Sequence, residues 1–305
     1  MSSFFTLPRP DGVSVYVHAF RAERPRAMLL VVHGMAEHGG RYARFSARAN
    51  AAGISVFAPD LRGHGKTARR PEELGHMGDH DAFELTVGDL EALLSHLRTH
   101  EGDLPIAVLG HSMGSFISQL FLSRSPKIFA AVFSGSTGKP PILGQLGRAL
   151  ARVERLRLGA SGKSPLLHAL SFEDYNKRFA PNRTEADWLS RDEAEVDAYV
   201  ADPLCGFQCS TATWVELLDC LATRLGRAKL ARWPRVPVLV VSGDADGVGE
   251  MGKGPRKLHA LLRDAGFDAE LALYPGGRHE MLNEINRDEV ETEIVSFLER
   301  ALERR

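Results

Sequence analysis

The residues of this chain best placed to do chemistry are a serine at 112, a histidine at 279 and an acidic pair at 244 and 246. Ser112 stands in Gly110-His111-Ser112-Met113-Gly114, after a short apolar run (Ile106 to Leu109) and before a helix-period pattern with Phe116, Leu120 and Phe121 on one face. This reads as strand, sharp turn and helix with a hydroxyl at the apex. The flanking glycines let neighbouring backbone approach closely enough to tolerate the strained turn. A serine so held is poised as a nucleophile. His279 closes Pro275-Gly276-Gly277-Arg278-His279 just beyond the strand-like run Glu270 to Tyr274, and it would take the Ser112 proton and return it to a leaving group. The run Pro237 to Gly243 empties into Asp244-Ala245-Asp246, and either carboxylate could orient the imidazole. All three groups lie past the carboxyl ends of strands, where open α/β sheets collect their chemistry. The remaining need is a pair of donors for a developing oxyanion. Residues 27–32 form a strand that opens into His33-Gly34-Met35, so the Met35 and Met113 backbone N–H groups are the natural pair.

The elements that position these groups follow from periodicity. Val13 to Phe20 alternates like an antiparallel strand. Strand 27–32, helix 41–52 and strand 54–57 make one βαβ unit, and a helix over 84–100 leads into strand 105–109. Strand 128–134 follows the helix after Ser112. Residues 287–302 close the chain as an amphipathic helix with Val290, Ile294, Phe297, Leu298 and Ala301 on one face, and Asn286 with Glu289 is expected to form a capping box at its start. Strands alternating with helices at this spacing predict a doubly wound, mostly parallel sheet.

Between strands 128–134 and 236–242 lie about 100 residues, far more than a βα connection needs. The expected organisation is therefore a core over 1–136 and 231–305 with a helical cap inserted at 137–230. From 139 to 163 six basic residues face one acid, Glu154, beside Leu143, Leu146, Leu150 and Val153 at helical spacing. From 171 to 202 the balance reverses, with nine acids and four bases. Two readings of the basic helix compete: an apolar face buried on its own domain, or peripheral contact with a lipid surface. In either case those leucines, with Ile142 and Leu158, are expected to wall an acyl pocket.

Together, His33-Gly-Met-Ala-Glu-His-Gly-Gly-Arg-Tyr42, Asp60-Leu-Arg-Gly-His-Gly65, Gly110-His-Ser-Met-Gly114 and Asp202-Pro-Leu204 resemble the monoacylglycerol lipase and lysophospholipase group of α/β-hydrolases, which is also classed with the serine aminopeptidase-like hydrolases. The similarity runs from about residue 10 to the C-terminus and is weakest over 137–200. The resemblance implies an α/β-hydrolase fold and a serine hydrolase cleaving carboxylic esters of glycerol or another small alcohol. It places the nucleophile at Ser112, the base at His279, the acid at Asp246 rather than Asp244, and the oxyanion donors at Met35 and Met113. Where the family commonly has Gly-Gly after Ser-Met, this chain has Gly114-Ser115. An amide hydrolase of the aminopeptidase type and an acyltransferase remain as alternatives on the same scaffold. A dehalogenase or epoxide hydrolase would need an acid at 112.

Composition sets the outer limits. At 305 residues the chain accommodates one α/β domain with an insertion, and a net charge of −1 gives no reason to expect a nucleic-acid partner. Cys205, Cys209 and Cys220 are an odd number in one segment, which argues against a disulfide framework, and Cys205-x3-Cys209 lacks the second ligand pair of a zinc site. Neither metal nor cofactor is expected. The first ten residues carry no basic n-region or apolar core, and a cytoplasmic location is expected. His33, His38, His64 and His111 are read as structural, and Glu37 and Arg41 as braces of the loop after strand 27–32.

Overall fold

The computed structural model describes residues 2–138, 143–224 and 227–305. Eight strands form one sheet: β1 (Ser2–Pro8), β2 (Ser14–Phe20), β3 (Ala27–Val32), β4 (Ile54–Pro59), β5 (Ile106–His111), β6 (Ala131–Ser134), β7 (Val238–Gly243) and β8 (Ala269–Tyr274), in the spatial order β1-β2-β4-β3-β5-β6-β7-β8. β1 pairs antiparallel with β2, and β2 antiparallel with β4, so these form an antiparallel edge; every pairing from β4 across to β8 is parallel. The central strands read as unbroken apolar runs because both faces are covered. Along β3, Met28, Leu30 and Val32 join one core, while Ala27, Leu29 and Val31 join the other.

The helices outside the insertion are α1 (Ala43–Ala51), α2 (Ala82–His100), α3 (Met113–Leu122), α10 (Lys253–Asp264) and α11 (Arg287–Glu303). α2, α3 and α10 cover the first core, and α1 and α11 cover the second. β3 lies between β4 and β5, so the chain reverses its direction of travel across the sheet there. The crevice outside the carboxyl ends of β3 and β5 is thus the switch point where such sheets bind ligands. The loop after β3 carries Met35, and the turn after β5 carries Ser112.

Several boundaries differ from the sequence reading. Strand 128–134 pairs only from Ala131, and the helix expected from 41 begins as a 3₁₀ turn over Gly39–Tyr42 before α1. The capping box at Asn286 does not form. Arg191 donates to the Asn286 side-chain oxygen (3.2 Å) and the Asn286 amide donates to Glu289 (3.1 Å), and the side chain takes no backbone N–H of the first turn. β1 and α10 were not anticipated.

The insertion between β6 and β7 contains α4 (Leu143–Leu158), α5 (Pro165–His168), α6 (Asp174–Lys177), α7 (Glu193–Ala201), α8 (Thr211–Asp219) and α9 (Arg227–Leu230). α4 runs against α8 through its small residues. Ala151 is fully buried, Gly147 lies against Leu218, and Arg148 and Arg152 pair with Asp219. Close packing on that narrow side turns the larger residues outward: Leu146, Val153 and Leu156 are 66%, 57% and 88% exposed. Leu146 and Val153 therefore do not wall a pocket, contrary to expectation. Leu150 does reach an apolar cluster with Met35, Phe172 and Trp214. Lys139, Ile142 and the Leu143 side chain lie outside the described residues. Among those residues no helix is long and apolar enough to cross a membrane.

Candidate active site

Ser112 sits at φ +49°, ψ −121°, a conformation costly for any residue with a side chain. Surrounding contacts impose it. A Cβ at Gly114 would lie 2.1 Å from the Val32 carbonyl oxygen and 2.3 Å from that of His33, so α3 begins directly against the backbone of β3. The Ser112 N–H donates to Ser134 O (2.9 Å), which ties the turn to β6. Ser115 is fully buried; its hydroxyl donates to Ser112 O (2.6 Å) and bonds Ser136 Oγ (2.8 Å). The second hydroxyl thus reinforces the turn.

The loop after β3 folds against the same serine. A Cβ at Gly34 would stand 3.3 Å from Ser112 Cβ. The Gly34 N–H donates to Glu37 Oε1 (2.5 Å), Tyr42 OH donates to the same oxygen (3.2 Å), and Arg41 donates to Glu37 Oε2 (2.9 Å). Arg41 also forks onto both oxygens of Glu280 at 2.7 Å. Burial alone would push the Glu37 and Glu280 carboxyls up, but the Arg41 charge holds both low, so both stay ionised. Ala36, at φ +56°, accepts from the Gly206 N–H and from Tyr199 OH, each at 3.0 Å. Neither the Met35 nor the Met113 N–H has an acceptor among the described residues.

β7 and β8 run side by side, which brings the loops beyond them together. A Cβ on Gly243 would meet Gly277 O at 1.8 Å, so the two loops touch backbone to backbone. Asp246 is fully buried. It accepts from His279 Nδ1 (3.0 Å) and from the Val248 N–H (2.9 Å). Asp244, in contrast, is exposed and accepts from the Gly276 N–H at 2.6 Å. Burial disfavours charge on both members of the Asp246–His279 pair. Their mutual attraction outweighs it, keeping Asp246 below the usual carboxylate range and His279 above the ordinary imidazole value.

Ser112 and His279 line one small pocket, with room for about 20 Å³, on the order of a single water. No Ser112–His279 hydrogen bond is formed among the described residues. Its lining combines polar residues (Glu37, Tyr199, Glu280) with apolar ones (Met35, Phe172, Trp188, Leu189). Phe172, Trp188, Leu189, Tyr199 and Glu280 were missed in the sequence. A usable signal was the run of aromatics, Phe172, Tyr175, Phe179, Trp188 and Tyr199, inside an otherwise charged segment.

The other histidines have local partners. His33 accepts from the Leu61 N–H at Nε2 (2.9 Å), so its Nδ1–H donates to Gly34 O (2.7 Å). Burial drives His64 down to about 3, and burial with the nearby His279 drives His111 to about 4, so both stay neutral. Three side-chain clusters have metal-like composition: His18-His38-Asp60, His38-Asp202-Cys205 and Glu37-His111-Glu280. In the last, Arg41 already bridges the two carboxylates. His38 Nδ1 accepts the Gly40 N–H (3.1 Å), so Nε2 carries the proton and donates it to Asp202 (2.9 Å). A metal-bound histidine donates from its second nitrogen, the opposite polarity.

This fold, with a strained serine at the switch point and a buried Asp–His pair beside it, defines an α/β-hydrolase of the serine type. Residues 23–286 match the serine aminopeptidase, S33 family, and the chain belongs to it. It is 32% identical over 284 residues to the monoacylglycerol lipase of Mycolicibacterium smegmatis, covering 90% of each chain. It is 30% identical to the monoglyceride lipase of Mus musculus, covering 92% of this chain and 84% of the relative. Its structure is similar to the thermostable carboxyl esterase of Bacillus coagulans, crystallised with glycerol, with a TM-score of 0.90 at 27% identity over 99% of both chains. Within the family it groups with the esterases and monoglyceride lipases, and it is a carboxylic ester hydrolase.

Proposed function

We propose that the protein hydrolyses short-to-medium acyl esters of glycerol or a similar small alcohol, through a Ser112–His279–Asp246 triad and an acyl-enzyme. The observation that carries this reading is the pocket shared by Ser112 and His279, with both polar and apolar residues in its lining. Ser112 Oγ attacks the ester carbonyl while His279 Nε2 takes its proton, and Asp246 fixes the tautomer and stabilises the imidazolium. The two unpaired N–H groups, Met35 and Met113, receive the oxyanion. The tetrahedral intermediate expels the alcohol, which takes the proton from His279, and water repeats the sequence on the acyl-enzyme. The open Ser112–His279 contact suits a resting site that tightens when substrate binds.

The cluster of Met35, Leu150, Phe172, Phe207 and Trp214 continues the apolar lining and suits an acyl chain. None of the acids between 173 and 202 lines the cavity, and the two carboxylates that do, Glu37 and Glu280, are both already engaged by Arg41. An amine-binding site for an aminopeptidase substrate is thus unsupported. Segment 137–230 serves as the cap. Its α4 presents Leu146, Val153 and Leu156 between basic side chains, which supports peripheral docking on an anionic lipid surface. The three cysteines are buried and form no disulfide among the described residues, which suits the reducing cytoplasm.

A fluorophosphonate probe should label Ser112, and Ser112→Ala should lose the label and about 10⁴-fold or more in turnover. In an ester series from C2 to C16, kcat/KM should rise by about fourfold per methylene until the apolar lining is filled. Labelling that survives Ser112→Ala, or an aminoacyl anilide cleaved faster than every ester, would overturn the reading.

A further inference from the structure

The segment 186–191 of the insertion and the loop carrying His279 are joined residue by residue. Arg278 donates from Nη1 to the carbonyls of Asp187 and Ser190, the latter at 3.0 Å, and its guanidinium lies 4.2 Å from the Phe179 ring centre. On the other side of His279, the Glu280 N–H donates to Leu189 O at 2.8 Å. Between these ties the Trp188 indole meets the His279 imidazole, with ring centres 5.1 Å apart and planes 30° from parallel. Trp188 is itself held. It is buried, its backbone N–H donates to Asn176 Oδ1 (3.0 Å), and its ring stacks on Phe172 at 5.4 Å and 15°. His111 also packs on His279, its ring centre 4.9 Å away. A neutral imidazole and an indole both in contact with the ring leave it little freedom to rotate away from Asp246.

We infer that Trp188 is a positioning residue for His279, holding the ring in line with Asp246 and stabilising the imidazolium that forms during the reaction through its π face. The inference rests on the reading of His279 as the general base. Its physical basis is that an aromatic face within about 6 Å attracts a cation, and more strongly where water is excluded. The interaction is present only while the ring is charged, so it acts on the transition state and the intermediate rather than on substrate binding. It also makes part of the insertion necessary for the chemistry: residues 186–191 must be seated on the His279 loop for the ring to be held. The other charged or titratable groups around the imidazole are Asp246, Glu280, Glu37, Arg41 and His111, with Arg278 next in sequence, and substitution at Trp188 leaves all of them in place.

The test compares Trp188→Leu, which keeps apolar bulk without a π face, with Trp188→Phe, which keeps the face. For Leu, kcat should fall by about tenfold with KM within about twofold, and the acidic limb of kcat/KM should move to lower pH. For Phe, kcat should stay within about threefold of wild type with the limb unmoved. Equal behaviour of the two variants, or a loss confined to KM, overturns the inference. A spectroscopic reading serves even if the Leu variant does not fold. Protonated imidazole quenches indole emission, so the difference between wild-type and Trp188→Phe fluorescence should titrate with the midpoint of the kinetic limb. A difference independent of pH overturns the contact. Unimpaired turnover in His279→Ala would instead discard the triad, whatever the Trp188 variants do.

Discussion

Replacing Asp246 with asparagine tests the site at its most buried point. The carboxylate takes the Val248 N–H on Oδ1 and His279 Nδ1–H on Oδ2. Asparagine has one acceptor oxygen, and the backbone donor of the loop retains it, so the amide NH₂ falls where Oδ2 stood, 3.0 Å from Nδ1. Two donors cannot face each other there. The imidazole shifts its proton to Nε2, which then presents a donor to Ser112 where a base is required. Loss of the tautomer and of the charge behind the imidazolium should lower kcat by about 10⁴-fold, or about 5.4 kcal/mol at 1.36 kcal/mol per decade. Asp244 has the opposite environment. It is exposed, and its one bond, from the Gly276 N–H, can be kept by an amide oxygen. Asp244→Asn should therefore change kcat by less than about threefold, because exposed substitutions with retained partners cost little. The assay is initial-rate hydrolysis of one chromogenic ester at a pH where wild type is fully active, with melting curves to confirm folding. Equal losses at the two positions, or an Asp246→Asn enzyme within about tenfold of wild type, would refute the reasoning.

Three further outcomes follow from the same geometry. Because Asp246 holds His279 above its ordinary value of 6.5, and catalysis needs the neutral ring, kcat/KM should fall with a midpoint above pH 6.5. The matching stabilisation is fully present below pH 6.5 and is lost as pH rises through the folded value, so activity gains as this stability term declines; a limb below 6.5 would contradict the pairing. Gly114→Ala should abolish accumulation of folded protein or cost more than about 3 kcal/mol in urea unfolding, since the new methyl meets two backbone carbonyls that cannot rotate away; near-wild-type stability would show that α3 is not pressed on β3. Replacing Leu146, Val153 and Leu156 with serine should reduce binding to anionic phospholipid vesicles by at least about tenfold while leaving short-ester hydrolysis unchanged, and equal binding by wild type and variant would remove α4 as a lipid-facing surface.

The parallel sheet was legible because its strands are buried on both faces and appear as short apolar runs between turn residues. The turns at Ser112 and after β3 were legible because glycine marks places where a side chain would collide, with backbone carbonyls at Gly114 and with the Glu37 carboxylate at Gly34. The insertion was legible as a length but not as a packing. α4 carries enough leucine to look as though it buries a leucine face, yet Gly147 and Ala151 allow a closer approach to α8. Nor was the partner of the Asn286 side chain legible: Arg191, 95 residues away, donates to its oxygen.

The sequence by itself determined the order of the candidate groups: a serine between a strand and a helix, two acids and a histidine beyond later strands, and a glycine-containing turn after an early one. Local steric rules and periodicity suffice for that, because each group is placed by the strand immediately before it. Tertiary structure decided which carboxylate meets His279, since Asp244 and Asp246 differ by two residues in the chain and by complete burial in space. It also decided that Arg41 bridges Glu37 and Glu280, and that the cavity wall comes from Phe172, Trp188 and Tyr199. The Trp188–His279 and Arg41–Glu280 contacts join residues about 90 and 240 positions apart. Their energies arise from desolvation and ring packing, which depend on the neighbours that the fold supplies and leave no periodic trace along the chain.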